Sequence, residues 1–226
     1  AYGFGPADDR QWIVVDVGVT FGDPSTPGVD VIVPDPSFLE GERILGIVLT
    51  HAHEDHIGAL GWLWPRLKAP LYATPFTAFL IREKLRDAGI LDRVALHEVP
   101  LGGTIDLGPF HVEMVTITHS IAEPNGLAIK TPLGTVLHVF VDGVAGSEGD
   151  VREALAELIS GLTGRVAVGC FASNVARMDS VIHAAEKAGR RVALAGRSMH
   201  RITAAAKSVG MLSDIKPFLS EEEARV

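Results

Sequence analysis

Cysteine, positive charge and long apolar runs are all scarce in this sequence, and each scarcity argues against one class of structure or function. The 226 residues include one cysteine, Cys170, so no disulfide forms within the chain and a cytoplasmic location is favoured. Lysine and arginine number 20 against 28 acidic residues, and the formal charge of −8 argues against broad, nonspecific binding to nucleic acid. No apolar run reaches the ~18 residues that a membrane span needs, and no secretory signal is visible.

The pattern of apolar residues divides the chain into two parts. In residues 1–145, short β-branched runs alternate with turns rich in glycine and proline, which predicts a domain built mainly of strands. In residues 146–226, strands alternate with helices, which predicts a small parallel α/β layer. We therefore expect two domains and an α/β fold, with two β-layers flanked by helices.

Several helix boundaries can be predicted from single residues. A helix over residues 75–88 is expected to begin after Thr74 as its N-cap, with Pro75 in its first turn and Gly89 closing it. The second half is predicted to contain strands over residues 165–170 and 191–195 and helices over residues 147–162, 174–188 and 198–209.

The strongest chemical signal is the segment His51-Ala52-His53-Glu54-Asp55-His56, which follows a predicted strand over residues 44–49. In a loop, three imidazoles and a carboxylate at this spacing can converge, because alternate residues project from a common side. Neutral imidazoles suit zinc, and the carboxylate adds charge neutralisation. The alternative, three histidines on a solvated loop by chance, is the weaker interpretation at this spacing.

Two residues from elsewhere in the chain are expected to join this motif. Asp16 ends a predicted strand and could orient a ligand histidine, although a plain turn residue is the alternative. His119 lies at the end of a predicted strand over residues 110–118 and could supply the third imidazole for the first metal, with a surface histidine as the alternative. Three imidazoles would leave one tetrahedral position open for water, which is the pattern of a catalytic zinc.

These segments resemble the bacterial ribonuclease J group, which are metallo-β-lactamase-fold nucleases bearing a β-CASP domain. The similar stretches are residues 15–22, 49–60, 118–121 and 131–138, with residues 171–174 and 196–199 similar to β-CASP segments. The resemblance implies an αββα sandwich with a partial β-CASP α/β segment. It also implies a two-metal phosphodiesterase that acts on RNA.

The resemblance further implies a role for each matching residue. His51, His53 and His119 would hold one zinc, while Asp55 and His56 would hold part of a second. Asp55, His56 and Asp16 are accordingly the candidate catalytic residues.

A candidate phosphate seat lies in the second half of the chain. Ser173, Asn174 and Arg177 stand where a loop enters a predicted helix, a natural position for binding an anion. Simple capping of that helix is the alternative interpretation.

The match to the family fails after His138. There the family continues into Thr-Gly-Asp, whose aspartate bridges the metals, whereas this chain continues as Val139-Phe140-Val141-Asp142-Gly143, as if a segment had been excised. Asp142 ends a predicted strand and could replace the lost carboxylate, with a turn carboxylate as the alternative. We therefore expect one firmly held zinc and a weak or absent second metal, with manganese also possible.

Three functions stay open at this point. The first is a ribonuclease J-like phosphodiesterase that cleaves RNA with metal-activated water. The second is a single-zinc hydrolase of small esters or β-lactams. The third is a catalytically weak remnant that keeps the fold and the metal. A truncated α/β layer would also leave apolar surface uncovered, which favours a homo-oligomer.

Overall fold

The computed structural model describes residues 1–117, 119–138, 148–162, 166, 168 and 172–225. The chain forms two compact units, Ala1–Thr118 with Glu123–Phe140, and His119–Ala122 with Val141–Val226. The strands are β1 (Tyr2–Phe4), β2 (Gln11–Val15), β3 (Thr20–Phe21), β4 (Val31–Ile32), β5 (Arg43–Val48), β6 (Leu71–Ala73), β7 (Leu96–Glu98), β8 (Thr104–Leu107), β9 (Phe110–Thr116), β10 (Asn125–Thr131) and β11 (Gly134–His138). The helices are α1 (Glu54–Ile57), α2 (Leu60–Leu67), α3 (Pro75–Asp87), α4 (Glu148–Ser160), α5 (Val175–Lys187), α6 (Arg197–Ser208) and α7 (Glu221–Arg225).

The first unit contains a five-stranded sheet in the order β1-β2-β5-β6-β7. β2, β5, β6 and β7 run parallel, while β1 pairs antiparallel with β2 at one edge. Because parallel strands end on the same edge of a sheet, the loops that follow β2 and β5 emerge side by side. Those loops begin with Asp16 and with residues 49–51, so the topology alone places Asp16 beside the histidine motif.

A second sheet, in the antiparallel order β11-β10-β9-β8, faces the first across an apolar core. Its strands alternate in burial, as in β9, where Val112 and Met114 are buried and their neighbours are partly exposed. These side chains pack with Leu127 of β10 and with Ile13 and Val48 of the first sheet. The predicted α/β fold with two β-layers is confirmed, and α3 packs against β6 and β7.

The N-terminus of α3 is held from a distant part of the chain. Thr74 is the N-cap residue, as the sequence predicts, but its side chain makes no capping hydrogen bond. Instead, the buried carboxylate of Glu123 accepts the backbone N–H of Phe76 at 2.9 Å. Glu123 precedes β10 and has a left-handed backbone (φ 51°). The polar group that satisfies this helix end therefore comes from the loop before β10.

The helices of the second unit lie close to where the sequence predicts them. α5 and α6 match the predicted helices to within a residue at each end, and α4 packs on α5 through Ala156, Ile159 and Ala184. The predicted strand over residues 191–195 is wrong, because only an isolated parallel bridge joins Ala193 to Leu219. A strand is stabilised by hydrogen bonds to a neighbouring strand. The other predicted strand of this layer is residues 165–170, most of which lie outside the described part of the chain.

Two further sequence-based expectations concern membrane spans and the boundary between the domains. Among the described residues, no helix is long and apolar enough to cross a bilayer. The domain boundary predicted at residue 145 lies outside the described residues and stays a prediction.

Candidate metal centre

The histidine motif begins at the end of β5 and runs into a short helix. His51 follows the buried residues Leu49 and Thr50, and His53 has an extended backbone and is the N-cap of α1. Asp55 and His56 therefore lie on a helical turn, and the expectation that the whole motif lies in a loop is wrong. The carbonyl of His53 accepts the N–H of His56 at 3.0 Å, which closes that turn. Four residues are too short a helix to show an apolar period.

The segment after β2 packs its backbone directly on α1. The N–H of Val17 donates to the carbonyl of His56 at 2.7 Å, and the N–H of Val19 donates to that of Glu54 at 3.1 Å. Between them lies Gly18, where an added Cβ would stand 1.6 Å from the carbonyl oxygen of Asp55. A side chain at this position is therefore incompatible with the observed packing, and glycine lets the two segments touch.

Three imidazoles converge at the predicted first metal position. One ligand nitrogen from each of His51, His53 and His119 lies within 4.8 Å of the other two. His51 is fully buried, and the other two are partly exposed. His51 Nε2 and His53 Nδ1 are 3.0 Å apart. Two nitrogens at ~2.0–2.1 Å from a tetrahedral zinc would be separated by about 3.3 Å, so these residues fit the ion that the donor set suggests.

Asp16 connects the end of β2 to this cluster. Its backbone is left-handed (φ 56°) and its N–H donates to the carbonyl of Val48 at 3.1 Å. Its carboxylate lies 2.8 Å from His56 Nδ1 and accepts the backbone N–H of Thr50 at 2.8 Å. Because a carboxylate only accepts, His56 Nδ1 carries the proton and its Nε2 is left as the ligand atom. Asp16 therefore contacts an imidazole of the motif, and its role in orienting that ring stays a prediction.

A second group of potential ligands lies beside the first. Asp55 Oδ2 is 3.4 Å from His56 Nε2, and the Asp55 side chain is 68% exposed. The rings of His56 and His51 are 3.9 Å apart between centroids, so the two groups adjoin. Asp142, the candidate replacement carboxylate, lies outside the described residues. Within the described part of the chain, the second group therefore consists of one imidazole and one carboxylate.

The short helix of the motif is also tied to α3 by an ion pair. Lys84 Nζ lies 2.8 Å from Glu54 Oε2 and 3.0 Å from Oε1. The carboxylate of Glu54 is more than half exposed, so solvent screens much of this interaction. The ion pair therefore contributes little to the free energy of unfolding.

Sequence reasoning did not identify two polar residues beside the cluster. Thr50 is fully buried and its hydroxyl contacts both Asp16 and His51. Asn125, at the start of β10, donates its backbone N–H and its side-chain amide to the Thr50 carbonyl at 3.2 and 3.4 Å. A threonine between a strand and the first histidine was a usable signal, whereas a partner 75 residues away was not.

The candidate phosphate seat lies at the start of α5. Asn174 is the N-cap of this helix, and its side-chain oxygen accepts the backbone N–H of Arg177 at 2.9 Å. Ser173 directly precedes the cap. The capping role is therefore present, and the phosphate-binding role of the three residues stays a prediction.

Comparison with protein families gives two matches that together span most of the chain. Residues 7–147 match the family model described as "Metallo-beta-lactamase superfamily". Residues 163–225 match the model described as "Ribonuclease J, beta-CASP domain".

Curated relatives extend this result. Ribonuclease J of Sinorhizobium meliloti is 41% identical over 262 residues, covering 98% of this chain and 46% of the relative. Ribonuclease J of Corynebacterium glutamicum is 36% identical and covers 90% of this chain and 34% of the relative. The chain thus spans half or less of the length of these relatives. Because the first alignment is longer than the 226-residue chain, that relative contains stretches with no counterpart here.

A solved structure shows the same fold at low sequence identity. It is a protein of unknown function from Enterococcus faecalis V583, with a TM-score of 0.62 and 18% identity. The similarity covers 95% of this chain and 68% of that chain.

Proposed function

Because the chain belongs to the metallo-β-lactamase superfamily and its curated relatives are ribonucleases J, we propose that it is a metal-dependent hydrolase of phosphodiester bonds in RNA. The observation that carries the proposal is the convergence of His51, His53 and His119 on one point. Three imidazoles at a strand end are a ligand set with one free tetrahedral position, as catalytic zinc sites have.

Zinc is the proposed ion, with manganese as the alternative that mixed histidine and carboxylate ligation tolerates. Zinc bound by the three imidazoles would lower the pKa of a coordinated water to ~7 and polarise a phosphoryl oxygen. Asp55 and His56 offer only two ligands for a second ion, and Asp142 is the proposed third. We therefore expect one firmly bound metal and a weaker second one.

The protein's own residues supply orientation and access. The Asp16 carboxylate holds His56 with its Nε2 directed toward Asp55, so these two ligand atoms stay on the same side. The exposed carboxylate of Asp55 leaves this side of the cluster open to a substrate. Asp16 acts through His56 and is a positioning residue, whereas Asp55 and His56 are the proposed catalytic pair.

The substrate is proposed from the relatives and from the start of α5. Phosphate groups of RNA would contact Ser173 and Arg177, while Asn174 caps the helix. With a formal charge of −8, the chain has no general attraction for RNA, so such contacts would have to be local. A cytoplasmic location and a homo-oligomeric state remain predictions.

Hydrolysis of end-labelled single-stranded RNA, measured with added zinc and with a chelator, tests the proposal. His53→Ala should lose zinc, and its rate of RNA hydrolysis should fall by more than ~10–100-fold. That range is typical for changes to residues that only hydrogen-bond to a metal ligand, whereas this variant removes a ligand itself. His97→Ala is the matched control, since His97 is an exposed histidine on β7 that stacks on Tyr72.

Each outcome separates the candidate functions. Chelator-sensitive cleavage of RNA that His53→Ala abolishes supports the proposal. Turnover of aryl esters or a cephalosporin without RNA cleavage would favour a small-molecule hydrolase instead. A protein that binds zinc but hydrolyses none of these substrates would contradict a hydrolytic function.

A further inference from the structure

Thr50 is a fully buried polar residue at the centre of the hydrogen bonds that surround the candidate metal position. Its backbone N–H donates to Asp16 Oδ1 at 2.8 Å, and its carbonyl accepts the backbone N–H of Asn125 at 3.2 Å. Its hydroxyl oxygen lies 2.9 and 3.1 Å from the two carboxylate oxygens of Asp16, 3.0 Å from His51 Nδ1 and 3.5 Å from His56 Nδ1. The hydroxyl therefore stands between a carboxylate and an imidazole that is a proposed ligand.

Counting protons fixes the direction of these two hydrogen bonds. A hydroxyl has one hydrogen to donate, and an ionised carboxylate can only accept. The hydroxyl proton of Thr50 must therefore point to Asp16, since two oxygens at 2.9 Å would otherwise face each other without a hydrogen. The shorter of its two imidazole contacts, at 3.0 Å, then needs a donor on the other side, and His51 Nδ1 is that donor. The longer contact, 3.5 Å to His56 Nδ1, involves a nitrogen whose proton is already donated to Asp16.

This assignment determines which nitrogen of His51 can bind a metal. A neutral imidazole that carries its proton on Nδ1 has its lone pair on Nε2. His51 Nε2 is the atom that faces His53 Nδ1 at 3.0 Å, toward the candidate metal position. The direction of the Thr50 hydrogen bond and the convergence of the ligands thus agree, although they are separate observations.

We propose that Thr50 is a positioning residue whose hydroxyl holds His51 in the Nδ1–H tautomer and directs the Nε2 lone pair at the metal. Asp16 then acts on both imidazoles, on His56 directly and on His51 through the Thr50 hydroxyl. The inference rests on the metal site of the proposed function and is independent of the substrate. A merely structural threonine would fill the same space without influencing His51.

Zinc affinity, measured by competition with a chromophoric chelator, tests this inference. Thr50→Val keeps the shape of the side chain but removes the hydroxyl. We expect this variant to bind zinc ~10–100-fold more weakly, as is typical when a hydrogen-bond partner of a metal-bound histidine is removed. Thr50→Ser restores the hydroxyl and should bind zinc at least about ten times more tightly than Thr50→Val. Thr74→Val is the matched control, because Thr74 is equally buried and its hydroxyl hydrogen-bonds, within the described part of the chain, to Thr77 at 3.4 Å and to no imidazole.

The tautomer itself can be measured without any variant. Long-range proton–nitrogen correlation spectra of the metal-free protein, at a pH where its imidazoles are neutral, should show His51 protonated on Nδ1. Protonation on Nε2 would overturn the inference, and this readout stands even if Thr50→Val fails to fold. Equal zinc affinity of Thr50→Val and wild type would overturn it as well. Loss of RNA cleavage alone, with these results intact, would count against the proposed function and leave the role of Thr50 standing.

Discussion

Replacing Gly18 with alanine should displace the metal-binding segment. An alanine Cβ would stand 1.6 Å from the carbonyl oxygen of Asp55, 2.0 Å from its carbon and 2.7 Å from the nitrogen of His56. All three atoms belong to the backbone, so no flexible side chain can move out of the way. Since carbon–carbon contacts are most favourable at about 3.5–4.0 Å, the two segments must separate by more than about 1.5 Å.

The energetic cost follows from what that separation breaks. It removes the hydrogen bonds from Val17 to His56 and from Val19 to Glu54, each contributing about 0.5–1.5 kcal/mol. Overpacking adds a further ~1–3 kcal/mol, so the free energy of unfolding should fall by about 2–6 kcal/mol. Asp55 and His56 lie on the displaced segment, and a shift of about 1 Å in a catalytic group can reduce the rate ~100-fold.

Urea denaturation followed by circular dichroism measures the first effect, and RNA hydrolysis at saturating zinc measures the second. Gly61→Ala is the matched control, because Gly61 lies on α2 and its nearest neighbour would be the Ala88 Cβ at 3.2 Å. Helix propensity favours that alanine by up to ~1 kcal/mol, so this control should stay within about 1 kcal/mol of wild type. If Gly18→Ala matched wild type in both stability and activity, the steric argument would be refuted.

Three further predictions concern the residues that hold the surrounding elements. Glu123→Ala should lower the free energy of unfolding by about 1–3 kcal/mol, because it leaves the buried N–H of Phe76 without its carboxylate. In the same urea denaturation experiment, Thr74→Val should lower the free energy of unfolding by less. Asn174→Ala removes the cap of α5 and should cost ~1 kcal/mol by urea denaturation; no measurable change would show that the Asn174 cap is dispensable. Lys84→Met should cost less than about 1 kcal/mol and even less at high salt, because Glu54 is exposed; a salt-independent loss would contradict this.

The sequence was sufficient where local pattern determines structure. The strand that leads to His51 and the helix after Thr74 lie within a residue of their predicted bounds, and a strand does lead to Asp16, ending at Val15. Each of them has an apolar period or a capping residue of its own. The convergence of His119 with the motif is a long-range property. Its position at a strand end left a surface histidine as an alternative, and the family resemblance implied the ligand role.

The sequence was insufficient where a contact joins residues that are far apart along the chain. Glu123 caps α3 by accepting the N–H of Phe76, 47 residues earlier, and the Thr50 hydroxyl contacts a carboxylate 34 residues away. Glu123 has no local sequence pattern that points to α3, and the position of Thr50 before the first histidine does not identify Asp16 as its partner. Only the sheet topology brings such partners together.

The left-handed backbone of Asp16 determines how any substitution there must be interpreted. A non-glycine residue held in this region stores about 1–3 kcal/mol of conformational strain, which glycine would relieve and a β-branched residue would increase. Removing the carboxylate and relaxing the backbone therefore act in opposite directions on stability. Asparagine, which tolerates this region and keeps the size of the side chain, isolates the loss of negative charge, whereas glycine mixes the two effects.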